Sequence, residues 1–260
     1  MLKQIRIAVL LYILLFVAVG SYLARARARA WDRPLWVDVY LVAADPGAET
    51  HAYMDQVSAD EFSAIEAFFT EQARAYGLGV DRPFHFALVG PTDALPEAPA
   101  NGALLGTIVW SLSMRWRVAE LNWSSDAPSP DLVVFVVFHD PDSRTITERS
   151  TGLSKGLIAV AHVFADRRAR GRNSMVIAHE MLHTVGATDK YDPRTNMPLY
   201  PIGYAEPERR PLYPQTKAEI MAGRMALDPG RARIPSIDEA VIGPATALEI
   251  GWDRKARQAD

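Results

Sequence analysis

Cysteine is absent from the 260-residue sequence, which excludes disulfide scaffolds, thiolate metal sites and cysteine nucleophiles together. Compartment stays open, because a chain without thiols is stable in either redox environment. Neither sign of charge is in large excess. The net charge is −3 and the isoelectric point about 6.1, so the chain as a whole lacks a basic footprint for nucleic acid. Internal repeats are lacking, and low complexity is confined to the Arg-Ala alternation over 24–30. What is present is apolar material, 49% against 23% charged, enough for a packed core and too much for wholesale disorder. The length suits one sizeable domain or at most two small ones. Any metal chemistry must use His, Asp or Glu.

Ile7 to Ala24 runs without a charge. As a helix this stretch would span roughly 27 Å, close to the thickness of a bilayer core, with Tyr22 at the interfacial level where such rings are favoured. Residues 1–30 therefore read as an uncleaved transmembrane anchor with an Arg-rich flank and membrane lipid as its partner. A cleaved secretory signal and a buried helix are the alternatives. The run is longer than a usual signal core, and its Ala-x-Ala candidates are interleaved with Arg25, Arg27 and Arg29. Lys3 and Arg6 precede the span and Arg25, Arg27, Arg29 and Arg33 follow it. This near balance leans toward a cytoplasmic C-terminal domain without fixing the side.

Beyond Pro34 the texture is that of an α/β (α+β) protein. Leu35–Ala43, Phe84–Val89, Leu132–Phe138 and Leu157–Phe164 read as strands, the third a continuous apolar run suited to burial on both faces. Asp60–Tyr76 repeats Phe62, Ile65, Phe69 and Ala73 at helical spacing and stops at Gly77 and Gly79. Asn101 is placed to cap a helix to about Leu121, with Leu105, Ile108, Leu112, Trp116 and Ala119 on one face. Asn173–Val185 is strongly helical, and Pro244 opens a last short helix to about Ile250. The order β-α-β-α-β-β-α predicts a mixed sheet with helices packed on it. Six prolines punctuate 189–215, so that stretch reads as a long irregular segment. A catalytic subdomain over 31–188 and an irregular C-terminal one over 189–260 are expected.

The chemistry concentrates in His179-Glu180-Met181-Leu182-His183-Thr184-Val185-Gly186-Ala187-Thr188-Asp189. Two histidines four apart on a helix leave the same face and can meet one ion. Neutral imidazole is a good zinc ligand. Glu180, beside the first, can reach a metal-activated water without binding the metal. Gly186 can take positive φ and turn the chain back, which lets Asp189 offer a third, oxygen ligand. Three protein ligands leave a position for water, as in a catalytic site.

This string resembles the extended zinc signature of the metzincin metallopeptidases, in the variant with Asp as third ligand. The resemblance implies a zincin-like mixed sheet, an active-site helix, a following irregular subdomain, and a methionine turn beneath the metal. Glu219-Ile220-Met221-Ala222-Gly223 is a plausible match for that turn, with Met221 at its centre. It further implies zinc as cofactor, a peptide or protein substrate, and hydrolysis with Glu180 as general base. Two departures matter. Asp replaces the usual third His, leaving the site one unit less positive, and no Tyr closely follows Met221.

Two other readings stay open: a binding or scaffold domain with structural zinc, closed by a fourth ligand such as His162 or Asp192, and a zinc hydrolase of a non-peptide amide or ester. His139 and His162 are candidates for extra ligands or supporting partners, though ordinary strand histidines are expected. Tyr191, Tyr204 and Tyr213 are candidates to line a cleft. Residues 189–196, rich in oxygen donors, suit an Asx turn better than a calcium loop. Segment 156–164 is expected at a sheet edge, facing substrate.

Overall fold

A computed structural model describes residues 2–99, 104–123, 128–142, 151–153 and 157–252. Helix α1 (Leu2–Ala30) leads into strand β1 (Leu35–Ala43), then α2 (Ala48–Met54), α3 (Ser63–Ala75) and β2 (Phe84–Pro91). Next come α4 (Leu104–Trp123), β3 (Leu132–His139), β4 (Thr151–Leu153), β5 (Ile158–Phe164) and α5 (Arg170–Thr184). Two small strand pairs follow, β6 (Ala218–Glu219) with β9 (Ala240–Val241) and β7 (Met225–Asp228) with β8 (Arg231–Arg233), before α6 (Pro244–Glu249).

The five-stranded sheet has the order β2-β1-β3-β5-β4; β4 alone is antiparallel to its neighbour. Right-handed crossovers explain the layering. The chain steps one way from β1 to β2 and the other way from β2 to β3, so α3 and α4 fall on opposite faces. Alternation then sorts the strand residues. Val37, Val39, Val134, Val136, Ala159 and Ala161 join the core with α3 and α5. Tyr40, Val42, Val133, Phe135, Val137 and Val160 pack with Trp110 and Met114 of α4.

The mixed sheet with packed helices is thus as read from the sequence, and four finer readings change. First, β5 is not an edge: it lies between β3 and β4, and β4 is the last strand on that side among the described residues. Only three residues long, β4 carries no apolar run that would reveal it. Second, α4 turns its expected core face outward. Leu105, Ile108, Leu112 and Trp116 are exposed while Trp110 and Met114 are buried; the helix is apolar on both sides, so periodicity alone could not choose. The proposed cap Asn101 lies outside the described residues. Third, α2 was not anticipated. Fourth, residues 7–24 fall within α1, but among the described residues no helix is long and apolar enough to cross a membrane. The anchor over 1–30 therefore rests on the sequence alone.

Residues after 189 share the core on the α5 side: Ile220, Met221, Ile237, Ile242, Ala247, Ile250 and Trp252 are all buried in it. Trp252 is fully buried, edge-on to Trp31 at 5.5 Å between ring centroids and to Phe69 at 6.5 Å. Trp31 Nε1 in turn donates to the Ile250 carbonyl at 2.7 Å, tying the end of α1 to the end of α6. Trp252→Ala should cost about 3–5 kcal/mol, the range for truncating a large buried aromatic, as a lowered midpoint in urea unfolding.

Candidate metal centre

Helix α5 is buried along most of its length, which fixes the angle at which its polar face meets the surface. Its start is locked to the end of β5 by Asn173, whose Nδ2 donates to the Phe164 carbonyl at 2.8 Å and whose Oδ1 accepts from the Phe164 amide at 3.2 Å. One helical turn apart, His179 Nδ1 donates to the Ile220 carbonyl and His183 Nδ1 to the Ala187 carbonyl, each at 2.9 Å. A carbonyl only accepts, so both neutral rings carry their proton on Nδ1 and present the Nε2 lone pair.

The two Nε2 atoms lie 3.1 Å apart. Asp189 Oδ1 is 3.3 Å from His179 Nε2 and 3.1 Å from His183 Nε2. With both rings neutral three lone pairs thus converge, an arrangement that repels itself unless a proton or a metal ion lies among them. Ligands about 2.0–2.1 Å from a tetrahedral zinc ion stand about 3.3 Å from one another, and the observed triangle has nearly that edge. The site fits zinc by donor type and by spacing.

The helix ends where the sequence motif requires. Gly186 adopts φ 110°, a conformation in which an L side chain is strained. The Ala187 amide closes the helix on the Leu182 carbonyl at 3.0 Å. Two residues later the chain brings Asp189 back toward the histidines. Glu180 is buried at 4% exposure, and donor atoms of His179, Glu180 and His183 all lie within 4.8 Å of one another. Both carboxylates are therefore close to the Nε2 pair. Glu180 is thus within reach of the point the histidines share.

Electrostatics follow from this crowding. Burial works against a charged His179, but the hydrogen bond to Asp189, the Glu180 charge and the Ile220 carbonyl outweigh it and raise its pKa to about 9. Burial pushes the Asp189 carboxyl up, yet the two imidazoles hold it well below the usual carboxylate range. Tyr191 is pushed up to about 12 by burial, by the charges of Asp189 and Glu180, and by its hydrogen bond to Asp189. It therefore stays a neutral O–H donor beside both carboxylates.

Met221 sits at the turn singled out in the sequence. Gly223 has φ 66°, and a Cβ built on it would lie 3.9 Å from His179 Cε1, so the turn passes directly against the first imidazole. Met221 is fully buried and its carbonyl accepts from the Lys190 amide at 2.8 Å. The turn is held by Glu219, whose Oε2 accepts from the Met221 and Ala222 amides at 2.7 and 3.0 Å. Its Oε1 accepts from the Gly243 amide at 3.1 Å and Thr246 Oγ1 at 2.6 Å. Burial raises the Glu219 pKa against these four bonds.

The other sequence candidates do not join this centre. His162 and His139 face the α4 side of the sheet, where His139 Nε2 lies 2.8 Å from His162 Nδ1. They border a separate cavity of about 410 Å³ shared with Trp110 and Met114. Strand alternation excludes them as ligands to an ion on the α5 side. Burial holds His162 down at about 4. Asp192 Oδ1 accepts from the Arg194 amide at 2.8 Å, the Asx turn expected there. Tyr204 and Tyr213 pair through their hydroxyls at 3.0 Å. Sequence reasoning placed Glu219 in the turn without its role and missed Glu249; they act from 30 and 60 residues past Asp189. For Tyr191 its place two residues past Asp189 was the available signal.

No protein-family model matches the sequence, and no curated protein matches it either. Among solved structures, 87% of the chain aligns with 36% of a chain in the structure of a chaperone–substrate complex, at 12% identity and a TM-score of 0.40. Similarly, 85% aligns with 62% of wild-type OgpA from Akkermansia muciniphila, at 11% identity and a TM-score of 0.39. The chain spans about a third of the first protein and under two thirds of the second. Likenesses this slight carry no conclusion about fold or activity.

Proposed function

We propose that the chain is a zinc-dependent metallopeptidase, with residues 1–30 as its membrane tether. The observation that carries this reading is the triangle of His179 Nε2, His183 Nε2 and Asp189 Oδ1, three lone pairs 3.1–3.3 Å apart whose mutual approach calls for a cation. Zinc, when bound, supplies a Lewis acid that polarises a scissile carbonyl and makes water a better nucleophile at neutral pH. The chain's own residues do the rest. The Glu180 carboxylate takes the proton of the attacking water and returns it to the departing amine nitrogen. The Tyr191 hydroxyl, held neutral, donates to the Asp189 carboxylate and steadies that ligand. Strand β4, the last on its side among the described residues, offers backbone groups to which an extended peptide can add as a further strand.

A closed structural site is less well supported. The two side chains considered for a fourth ligand are occupied elsewhere, His162 across the sheet and Asp192 in its turn. The test uses the full purified chain in detergent. It should hold one equivalent of zinc and cleave an unstructured protein such as casein. Cleavage should stop on chelation and return with zinc. Tight zinc binding without any cleavage of peptide or ester would favour the scaffold reading.

A further inference from the structure

Asp189 is the least supported of the three donors by packing: its side chain is 42% exposed, against the buried or half-buried histidines. Apart from the Tyr191 hydroxyl that donates to it, its position comes from the backbone on either side. After it, the Lys190 amide is fixed to the Met221 carbonyl. Before it, the Thr188 carbonyl accepts from Lys190 Nζ at 2.7 Å. That ammonium is itself 98% buried from solvent in the sense that only 2% of its side chain is exposed. It completes its three bonds with Thr188 Oγ1 at 2.9 Å and Glu249 Oε2 at 2.7 Å.

Glu249 closes the arrangement from α6. Its Oε2 also accepts from the Thr188 amide at 2.8 Å, and its Oε1 from Thr188 Oγ1 at 2.7 Å. One carboxylate at the last position of α6 therefore grips the residue before Asp189 twice and the side chain of the residue after it once. The first turn of α6 is fastened to the methionine turn through Glu219, which receives Gly243 and Thr246. So this six-residue helix is a strut between the two loops that meet the metal centre.

We propose that Glu249 is a positioning residue for Asp189: through Thr188 and Lys190 it holds the carboxylate ligand at the metal point. This rests on the metal-centre reading above. Outer partners of metal ligands typically contribute 10–100-fold in affinity, and beyond the Tyr191 hydroxyl an exposed ligand on a turn has little else to hold it. A purely structural role for the Lys190–Glu249 pair is the competing account, and it makes a different forecast. Breaking a buried pair from one side leaves an uncompensated charge, whereas replacing both members with apolar residues often restores stability.

The experiment compares the full chain with Glu249→Gln and with the double variant Lys190→Met/Glu249→Leu. Zinc affinity is measured by competition with a chromogenic chelator, the Co²⁺-loaded proteins by their visible ligand-field bands, and the metal-free proteins by melting temperature. The expected result is a zinc affinity 10–100-fold lower in both variants and altered Co²⁺ bands, although the double variant melts near the unsubstituted chain when metal-free. Unchanged affinity and bands in a stable double variant would overturn the proposal and leave the metal centre standing. Failure of the unsubstituted chain to bind zinc or Co²⁺ would overturn the metal-centre reading, and this one with it.

Discussion

Glu180→Gln is expected to lower peptide hydrolysis by about 10²–10⁴-fold, the contribution of a positioned general base, while zinc content and melting temperature stay close to those of the unsubstituted chain. The expectation comes from the division of labour among the carboxylates. Asp189 Oδ1 approaches both Nε2 atoms to 3.3 Å or less, so in the proposed mechanism it serves as the ligand, and its loss should release metal. Glu180 is buried beside that point and its charge raises His179, so it is near enough to act on water. Gln keeps the shape and loses the base. If zinc is lost together with activity, Glu180 is a ligand, and the site is a closed one. If activity survives, the proton is carried by another group and the hydrolase mechanism proposed above is wrong.

The sequence showed this site in unequal parts, and the inequality has a physical basis. His179, Glu180, His183, Gly186 and Asp189 lie within eleven residues, so helical geometry and one positive-φ glycine suffice to bring them together without knowledge of the fold. The sheet was legible for a similar reason: Leu132–His139 is apolar at nearly every position, as a strand covered on both sides must be. What could not be read depends on contacts between distant segments. Glu219 and Glu249 grip backbone amides, and any sequence supplies those. The edge position of β4 was obscured because three residues of backbone pairing leave no pattern, and β5 was taken for the edge in its place. Helix α4 failed differently. With apolar residues on two faces, its period was visible but its orientation was not, and only Trp110 and Met114 against the sheet decide which face is inner.

Removing the metal should make stability depend on pH in a direction set by His179. Its pKa in the folded, metal-free protein is raised to about 9, above the unfolded value of about 6.5. The stabilisation from its protonated form is therefore fully present below about pH 6.5 and is lost as pH rises through about 9. Asp189 has the opposite sign: held low in the fold, it contributes above its unfolded pKa of about 3.9 and loses that contribution as pH falls further. Chelated protein should accordingly be most stable between about pH 4 and 6.5 with respect to this pair, and melt at progressively lower temperature toward pH 10. Metal reverses the alkaline side, because a ligand nitrogen must first give up its proton. Zinc affinity should rise about tenfold from pH 7 to pH 8, one proton being released per ion bound, and free zinc at a thousand times its dissociation constant should add about 4 kcal/mol of stability. Calorimetric titration in buffers of different ionisation enthalpy measures the released proton directly. A melting temperature of the chelated protein that stays flat from pH 7 to 10 would mean that His179 carries no proton in the metal-free site. The three converging lone pairs would then be held together by packing alone, zinc would displace no proton, and its affinity would stay level between pH 7 and pH 8.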